Sequence, residues 1–222
     1  MSDDPNTTDF WEANYRAGPR RWELGEATPV FRRLAASGEF APGRMIVPGA
    51  GLGDDARLFA RHGYRVTAVD FAPTAARAMY ARQDPTAPII VLQADWFALP
   101  PVLSGVFDYV LEYVFITAID PSRREAYADV VAGLLSPGGR FIGLLGPIGG
   151  PPGGPPFAVR PDDIINLLAA RGLSLLRREF PPDSVPRRQN TEELVVMAKW
   201  NHDSTSPTTI NRSLSSSKGE PS

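Results

Sequence analysis

The chain has 222 residues, with 23 lysines and arginines against 25 aspartates and glutamates, and it contains no cysteine. The net charge of -2 gives no electrostatic reason to expect a nucleic acid or an anionic membrane as a partner. Without cysteine there is no disulfide framework, thiol nucleophile or cysteine metal site, and with only two histidines we expect no bound metal.

Length and hydropathy favour a single domain in the cytoplasm. A chain of this length is typical of one α/β domain that buries a substantial core. The first ten residues are polar and acidic, unlike a secretion leader, and no apolar run approaches the length of a membrane helix. We therefore predict a cytoplasmic protein, monomeric or weakly homo-oligomeric. Its predicted parts are a flexible N-terminus over 1–9, a domain over 10–200 and a Ser/Thr-rich disordered tail over 201–222.

The first predicted segment, between residues 10 and 25, carries large aromatic rings among mostly polar residues. Trp11 and Tyr15 are four residues apart, so they share one face of a helix, and Trp22 follows. Such rings can pack against the edge of a sheet, which the residue pattern alone favours, or can attract a bound cation. A second helix is predicted to begin at Pro29, with Thr28 as its N-cap.

A glycine-rich turn between two predicted strands is the most informative feature of the chain. A strand near 44–48 leads into Gly49, Gly51 and a helix, and the next strand ends on Asp70. This layout brings a bare backbone and one carboxylate to the carboxyl edge of a parallel sheet, where nucleotide-like ligands bind. Asp70 can accept hydrogen bonds from both hydroxyls of a ribose.

The residues after this turn distinguish two classes of ligand. A dinucleotide site needs a small residue where this chain has Asp54, and Asp55 follows it. Two carboxylates at a helix N-terminus repel a pyrophosphate, whereas S-adenosylmethionine carries a sulfonium and an ammonium and no phosphate. S-adenosylmethionine is therefore the favoured cofactor, and a dinucleotide or a turn without a ligand are the alternatives.

The rest of the chain continues to alternate between strands and helices. Predicted strands cover 89–93, 107–112, 140–146, 173–180 and 192–200, and predicted helices begin at Pro73, Pro121 and Pro161. The last two strands are expected to pair antiparallel. The pattern predicts an α/β fold with one Rossmann-like domain, as in class I methyltransferases. Its sheet is seven-stranded and mostly parallel, with a terminal antiparallel pair and helices on both faces.

Polar and aromatic residues follow two further strands at the edge where ligands bind. Asp95 and Trp96 suit an adenine, with the carboxylate accepting from the exocyclic amine, although an ordinary turn is the alternative. Glu112 ends another strand, and a buried carboxylate there is costly unless it has a partner. We expect it to face a cationic cofactor or to pair with Arg124.

These segments together resemble the thiol and halide methyltransferases, within the thiopurine-methyltransferase-like group. The resemblance covers about residues 10–200. It is carried by Val47-Pro-Gly-Ala-Gly-Leu-Gly-Asp54, by Phe107-Asp-Tyr-Val-Leu-Glu-Tyr-Val-Phe115 and by Gly153-Gly-Pro-Pro-Phe157, together with the N-terminal aromatic residues. Two departures stand out: Tyr15 replaces a tryptophan, and Glu112 stands where relatives more often have aspartate.

The resemblance implies a cofactor pocket that residues 10–37 cover. Three aromatic rings line that pocket in the family, and their spacing falls here on Trp11, Tyr15 and Trp22. The predicted cofactor-binding residues are then Trp11, Tyr15, Trp22, Gly49, Gly51, Asp70, Asp95, Trp96 and Tyr113.

The reaction that the resemblance implies is in-line transfer of the activated methyl group of S-adenosylmethionine to a small thiol, hydrosulfide or halide. Such nucleophiles need little help from a general base. Tyr113 is the candidate for positioning the acceptor or the methyl group, with Glu112 and Arg124 as further catalytic candidates. The Pro/Gly segment 147–156 could close over the site. The alternatives are a hydroxyl, carboxylate or amine acceptor, and a cofactor-binding protein without catalysis.

Overall fold

The computed structural model describes residues 4–18, 20, 22–149 and 153–201. Within these ranges the strands are β1 (Arg44–Val47), β2 (Arg65–Asp70), β3 (Ile90–Gln93), β4 (Phe107–Tyr113), β5 (Leu135–Leu145), β6 (Leu173–Glu179) and β7 (Glu193–Lys199). The α-helices are α1 (Thr8–Arg16), α2 (Pro29–Ser37), α3 (Asp54–Arg61), α4 (Pro73–Ala81), α5 (Arg124–Leu134) and α6 (Pro161–Ala169). Short 3-10 turns cover Trp96–Ala98, Pro101–Leu103, Pro121–Arg123 and Pro186–Arg188.

The seven strands form one sheet in the order β3-β2-β1-β4-β5-β7-β6. Strands β1 to β5 run parallel to one another, whereas β7 pairs antiparallel with both β5 and β6. The predicted fold class, with its terminal antiparallel pair, is therefore confirmed. This topology places the carboxyl ends of β1 to β5 and the start of β7 at one edge of the sheet.

Helices cover both faces of the sheet, and each face has its own apolar core. Phe31 of α2 and Phe59 of α3 are fully buried on one face, while Tyr127 of α5 and Leu168 of α6 are fully buried on the other. Side chains of a strand alternate between these cores because successive residues point to opposite faces.

The start of β5 and the capping of α2 differ from the sequence prediction. Strand β5 begins at Leu135 instead of residue 140, because Leu135 already pairs with Phe107 before a register shift. Thr28 precedes α2 as predicted, yet its hydroxyl makes no cap hydrogen bond to that helix and donates to Asp55 instead.

The described part of the predicted flexible N-terminus, residues 4–9, has defined partners. Thr7 is the N-cap of α1 and accepts a hydrogen bond from the backbone N–H of Phe10. The indole N–H of Trp11 donates to the carbonyl of Pro5 over 2.7 Å. Residues 1–3 and 202–222, which include most of the predicted tail, lie outside the described residues. In the described ranges no helix combines the length and apolarity needed to span a membrane.

Candidate active site

A cavity of about 660 Å³ lies at the edge of the sheet where the parallel strands end. This volume falls within the range of roughly 300–1,000 Å³ that small-molecule sites occupy. Its walls come from the residues that follow β1 to β5, from α1 and from the segment before β7. The lining includes Trp11, Tyr15, Trp22, Gly49, Gly51, Asp70, Asp95, Trp96, Phe115, Pro147, Arg188 and Glu192.

The glycine turn after β1 forms part of the cavity wall. Gly49 and Gly51 have φ values of 49° and 57°, in the left-handed region that glycine adopts without strain. A Cβ added to Gly49 would overlap the ring of Phe115, so no larger residue fits there. The backbone N–H of Gly51 donates to Asp70 over 3.0 Å, which links the turn to the end of β2.

Asp70 is a buried acid whose hydrogen-bonding capacity is only partly used. Its Oδ1 accepts from the backbone N–H of Ala72 at 2.9 Å and its Oδ2 from Gly51. Burial raises the pKa of Asp70 to about 6, although these two backbone N–H groups favour the charged form. Among the described residues no lysine or arginine forms a salt bridge with it. At neutral pH it is a carboxylate with free lone pairs, which suits vicinal hydroxyls.

Asp95 and Trp96 lie side by side after β3, on the same cavity. The Oδ1 atom of Asp95 accepts from the backbone N–H of Phe97 at 2.9 Å and so caps the short turn that follows. The Trp96 ring is 3 % exposed and lies within 6.0 Å of the Phe115 ring and 6.2 Å of the Tyr127 ring, between centroids. This arrangement offers an acceptor and flat apolar surfaces to a heterocyclic base.

The three N-terminal aromatic rings meet at the cavity. The Trp22 ring contacts Trp11 and Tyr15 edge to face, with centroids 5.6 and 5.9 Å apart. The same group packs on Leu52 and Ala72, so the rings both pack against the sheet edge and line the cavity. Burial and the nearby Asp70 raise the pKa of Tyr15, which keeps its phenol neutral.

Glu12, which the sequence prediction did not single out, fastens α1 to the rest of the fold. Its Oε1 accepts from the backbone N–H of Thr74 at 2.6 Å, and its Oε2 accepts from the Thr74 hydroxyl at 2.9 Å. Thr74 lies in the first turn of α4, directly after β2. The aromatic segment is therefore held beside Asp70 by a side chain that faces away from the cavity lining.

At the other end of the cavity a polar cluster joins β4 to the segment before β7. The hydroxyl of Tyr113 donates to Glu192 Oε2 at 3.2 Å and accepts from Arg188. Arg188 also donates to the carbonyl of Trp22 at 3.1 Å. Tyr113 is not among the described residues that line the cavity, whereas Arg188 and Glu192 are. Tyr113 lines a smaller adjoining cavity of about 80 Å³ with Gly49 and Gly51, and its hydroxyl holds Arg188 and Glu192 at the wall of the larger one.

Glu112 and Arg124 occupy different positions from those expected. Glu112 has no exposed surface and accepts from the backbone N–H of Ile116 at 2.9 Å and the Tyr127 hydroxyl at 2.7 Å. Arg124 donates to the carbonyl of Ala158. Neither lines the cavity in the described residues, because both side chains are directed to these partners within the protein. Burial raises the pKa of Glu112 to about 7, and its role here is to hold the loop after β4.

The two acids after the glycine turn, Asp54 and Asp55, also bind to other side chains and backbone groups of the protein. Asp55 accepts from the backbone N–H of Thr28 at 2.7 Å and from its hydroxyl at 2.9 Å, and Asp54 pairs with Arg57. Both lie outside the lining of the large cavity and instead line the smaller one beside Gly49 and Gly51.

The Pro/Gly segment after β5 contributes to the cavity through its two ends. Pro147, Pro155 and Pro156 line it, and the backbone N–H of Phe157 donates to the carbonyl of Thr117 at 2.7 Å. Residues 150–152 lie outside the described residues. Closure of this segment over the site stays a prediction.

The sequence of this chain is similar to those of known methyltransferases. The family model of thiopurine S-methyltransferases matches residues 6–199. A probable thiol methyltransferase 2 of Arabidopsis thaliana is 31% identical over 209 residues, which cover 92% of this chain and 90% of the relative. Thiocyanate methyltransferase 1 of Brassica oleracea is 31% identical over 86% of this chain and 85% of its own.

The solved structures agree in fold. The 1,6-didemethyltoxoflavin-N1-methyltransferase of Burkholderia thailandensis, crystallised with S-adenosylhomocysteine, superposes with a TM-score of 0.67 at 19% identity. The match covers 87% of each chain.

Proposed function

This chain belongs to the thiopurine S-methyltransferase family, whose members use S-adenosylmethionine, and from that premise we propose that it methylates a small sulfur nucleophile. The resemblance drawn from the sequence is thereby confirmed at the level of the family and the cofactor. The acceptor and the roles of individual residues are proposals that rest on the cavity.

The residues of one end of the cavity fit S-adenosylmethionine. The Asp70 carboxylate, which has no basic partner among the described residues, suits the ribose hydroxyls, and Asp95 with Trp96 suits the adenine. Three aromatic rings, including Trp11, offer π faces to a cation. When bound, this cofactor supplies an activated methyl group on a positively charged sulfur. A dinucleotide is disfavoured because its pyrophosphate would meet Asp54 and Asp55 in the first turn of α3.

A single cavity that joins Asp70 to Arg188 is the observation that carries this proposal. Asp70 ends β2, and Arg188 and Glu192 precede β7, four strand spacings away in the sheet order. Arg188 reaches back to the Tyr113 hydroxyl at the end of β4, so with about 4.8 Å between neighbouring strands its guanidinium lies two strand spacings, on the order of 10 Å, from the end of β2. A methyl donor held at the Asp70 end and a nucleophile at the Arg188 end can therefore share one cavity.

The protein itself contributes orientation, exclusion of water and charge. Holding donor and nucleophile in line can lower a barrier by roughly 7–11 kcal/mol in favourable systems. The Arg188 guanidinium can stabilise a sulfur that carries negative charge, and Tyr113 fixes that guanidinium by accepting its N–H. The role that we predicted for Tyr113 thus becomes positioning through Arg188 and Glu192.

The names of the relatives and the positive charge of Arg188 support the proposed class of acceptor. The two plant relatives are named for thiol and thiocyanate methylation, and a guanidinium at the cavity wall attracts small sulfur anions. A halide is the second candidate because it is attracted by the same charge. We further propose that the enzyme works in the cytoplasm as a monomer or weak homo-oligomer, with no nucleic-acid or membrane partner, in keeping with its charge of -2.

A methyl-acceptor screen tests the proposal. The purified chain would be mixed with S-adenosylmethionine and hydrosulfide, thiocyanate, a small aliphatic thiol or iodide, with release of S-adenosylhomocysteine and volatile methylated product measured together. We expect turnover with at least one sulfur acceptor and none with an Asp70→Ala control at low cofactor concentration. Binding of the cofactor without transfer to any acceptor, or transfer only to hydroxyl, carboxylate or amine compounds, would contradict it.

A further inference from the structure

Glu192 is a buried acid on the cavity wall that the reaction described above does not use. It is 2 % exposed and lines the cavity beside Arg188. Its Oε2 accepts from the Tyr113 hydroxyl, while its Oε1 has no hydrogen-bond partner among the described residues. The Ser184 hydroxyl is close enough to lower the pKa of Glu192, but it does not meet the distance and angle of a hydrogen bond to Oε1. A buried oxygen without a protein partner is a candidate for contact with a ligand.

The strand pairing places Glu192 at the end of the cavity away from Asp70. Glu193, the first residue of β7, pairs with Leu145 at the end of β5, so Glu192 lies beside Gly146 at the carboxyl edge. The next side chain has a different environment, because Glu193 forms a salt bridge with Arg178. Of these two neighbouring acids, only Glu192 lines the cavity in the described residues.

The charged and titratable groups around Glu192 make it a stronger base than a surface glutamate. Burial raises its pKa, and the charge of Asp183 raises it further. The Ser184 hydroxyl, Arg188 and the Tyr113 hydroxyl oppose this, and the pKa of Glu192 remains above its ordinary value. A raised pKa makes Glu192 a better proton acceptor than an ordinary glutamate, and its place in the cavity wall puts it where a substrate can meet it.

We propose that Glu192 accepts the proton of a neutral thiol, so that the acceptor class of this enzyme is R–SH in preference to a preformed anion such as a halide or thiocyanate. The inference rests on the proposed function. A thiol as acidic as cysteine, with a pKa of about 8.5, is only about a few per cent thiolate at pH 7, and aliphatic thiols with a higher pKa are less ionised. The thiolate is the nucleophile. The carboxylate of Glu192 also offsets the charge of Arg188, which weakens the attraction for anions that arrive already charged.

The step balances in atoms and electrons. Glu192 Oε1 takes the proton as the S–H bond breaks, and the freed sulfur lone pair forms a bond to the methyl carbon. The bond between that carbon and the donor sulfur breaks, and its electron pair stays with the departing S-adenosylhomocysteine. The products are a neutral methyl thioether and a protonated Glu192, which then releases its proton to water. Arg188 stabilises the sulfur while it carries negative charge.

Glu192→Gln keeps the size and the hydrogen-bond acceptor for Tyr113 but removes the base. The matched control is Glu193→Gln, which alters the neighbouring acid that pairs with Arg178. Each full-length variant would be assayed with 2-mercaptoethanol, which must lose a proton, and with thiocyanate, which has none to lose. We expect Glu192→Gln to lose about 100-fold or more in kcat with the thiol. Its kcat/KM with thiocyanate should stay level or rise, and Glu193→Gln should leave both unchanged.

The pH profile gives a readout that a purely structural role would not change. Wild-type kcat/KM for the thiol should reach its plateau well below the pKa of the free thiol. The rate of Glu192→Gln should instead rise tenfold per pH unit up to that pKa, because only solution thiolate can react. If the variant does not fold, the wild-type enzyme alone still tests the proposal. A wild-type kcat/KM that rises with pH in proportion to the fraction of free thiolate would overturn it.

The outcomes separate two failures. Equal losses with thiol and thiocyanate, or no loss with the thiol, would overturn the role of Glu192 and leave the methyltransferase proposal standing. Wild-type enzyme that methylates neither compound would contradict the proposed function, and the role of Glu192 with it.

Discussion

The two ends of the cavity are built in different ways. The donor end, defined by Gly49, Gly51, Asp70, Asp95 and Trp96, consists of residues that directly follow β1, β2 and β3. The acceptor end, defined by Arg188 and Glu192 with Tyr113 behind them, depends on side-chain hydrogen bonds between β4 and the segment before β7. The donor end therefore follows from the sheet topology, whereas the acceptor end depends on how distant segments meet.

The two ends also differ in charge. At the donor end a carboxylate stands without a basic partner in the described residues, which suits hydroxyl groups and a nearby cation. At the acceptor end an arginine and a glutamate face the same space. On our proposal, one end binds the cofactor and the other controls which nucleophile reacts. Substitutions at one end should then affect one ligand only.

Substitution of Arg188 is expected to give the largest difference between the effect on the acceptor and the effect on the cofactor. Arg188→Gln removes the guanidinium that faces the acceptor, and hydrogen bonds to charged groups contribute about 1.5–3 kcal/mol. We expect kcat/KM for the acceptor to fall roughly 10- to 150-fold, with the dissociation constant for S-adenosylmethionine changed less than about threefold. Steady-state kinetics and calorimetry measure the two quantities, and the control is Arg160→Gln, which alters an 80% exposed side chain that does not line the cavity. An equal loss of cofactor affinity would remove the distinction between the ends.

Asp70 is expected to show the opposite pattern. Asp70→Ala should weaken S-adenosylmethionine binding by about 1–3 kcal/mol, because the ribose hydroxyls lose their acceptor. The pKa of Asp70 is raised to about 6, so wild-type affinity should also weaken as the pH falls through 6 and the carboxylate is protonated. Calorimetry between pH 5 and 8 checks both. Unchanged affinity in the variant would contradict the placement of the ribose.

Trp11 should have a smaller effect at the donor end. Its ring is one of three at the cavity, and a desolvated cation–π contact contributes roughly 0.5–2 kcal/mol. Trp11→Ala is therefore expected to weaken cofactor binding a few-fold to about 30-fold. Trp200→Ala, which alters a 63 % exposed ring away from the cavity lining, is the control. If the two variants bind equally well, the aromatic cover does not contact the cofactor.

Glu112 lies beneath the loop between the two ends and should affect ligand binding least. Its pKa is raised to about 7, so it contributes stability that is present below its ordinary pKa of 4.5 and lost as the pH rises through 7. Wild type should lose up to about 3 kcal/mol of unfolding free energy relative to Glu112→Gln between pH 4.5 and 8. Denaturant titrations at several pH values measure this. If the unfolding free energies of the two proteins depend on pH in the same way, folding does not raise the pKa of Glu112.

Much of the fold and of the donor end could be predicted from the sequence. The strand over 65–70 is observed at Arg65–Asp70, and Asp70 lies beside the glycine turn on the cavity, as the strand–turn–helix pattern predicts. The aromatic residues that we predicted to cover the cofactor also reach the cavity. These positions follow from local patterns, because the carboxyl ends of neighbouring parallel strands meet at one edge.

The acceptor end could not be predicted in the same way. Arg188 and Glu192 stand in a polar segment, and only the antiparallel pairing of β7 with β5 brings them to the cavity. For Glu112 the alternation of a strand shows that it and Tyr113 point to opposite faces, but not which face the cavity adjoins. The sequence pattern also cannot show that Asp55 accepts two hydrogen bonds from Thr28.

A crystal structure of the chain grown with S-adenosylhomocysteine would test the two-ended cavity most directly. We expect the ribose hydroxyls within hydrogen-bond distance of the carboxylate at the end of β2, and the thioether sulfur directed toward Arg188 and Glu192. A ligand bound elsewhere, or one whose ribose lies against the segment before β7, would show that donor and acceptor are not arranged as we propose.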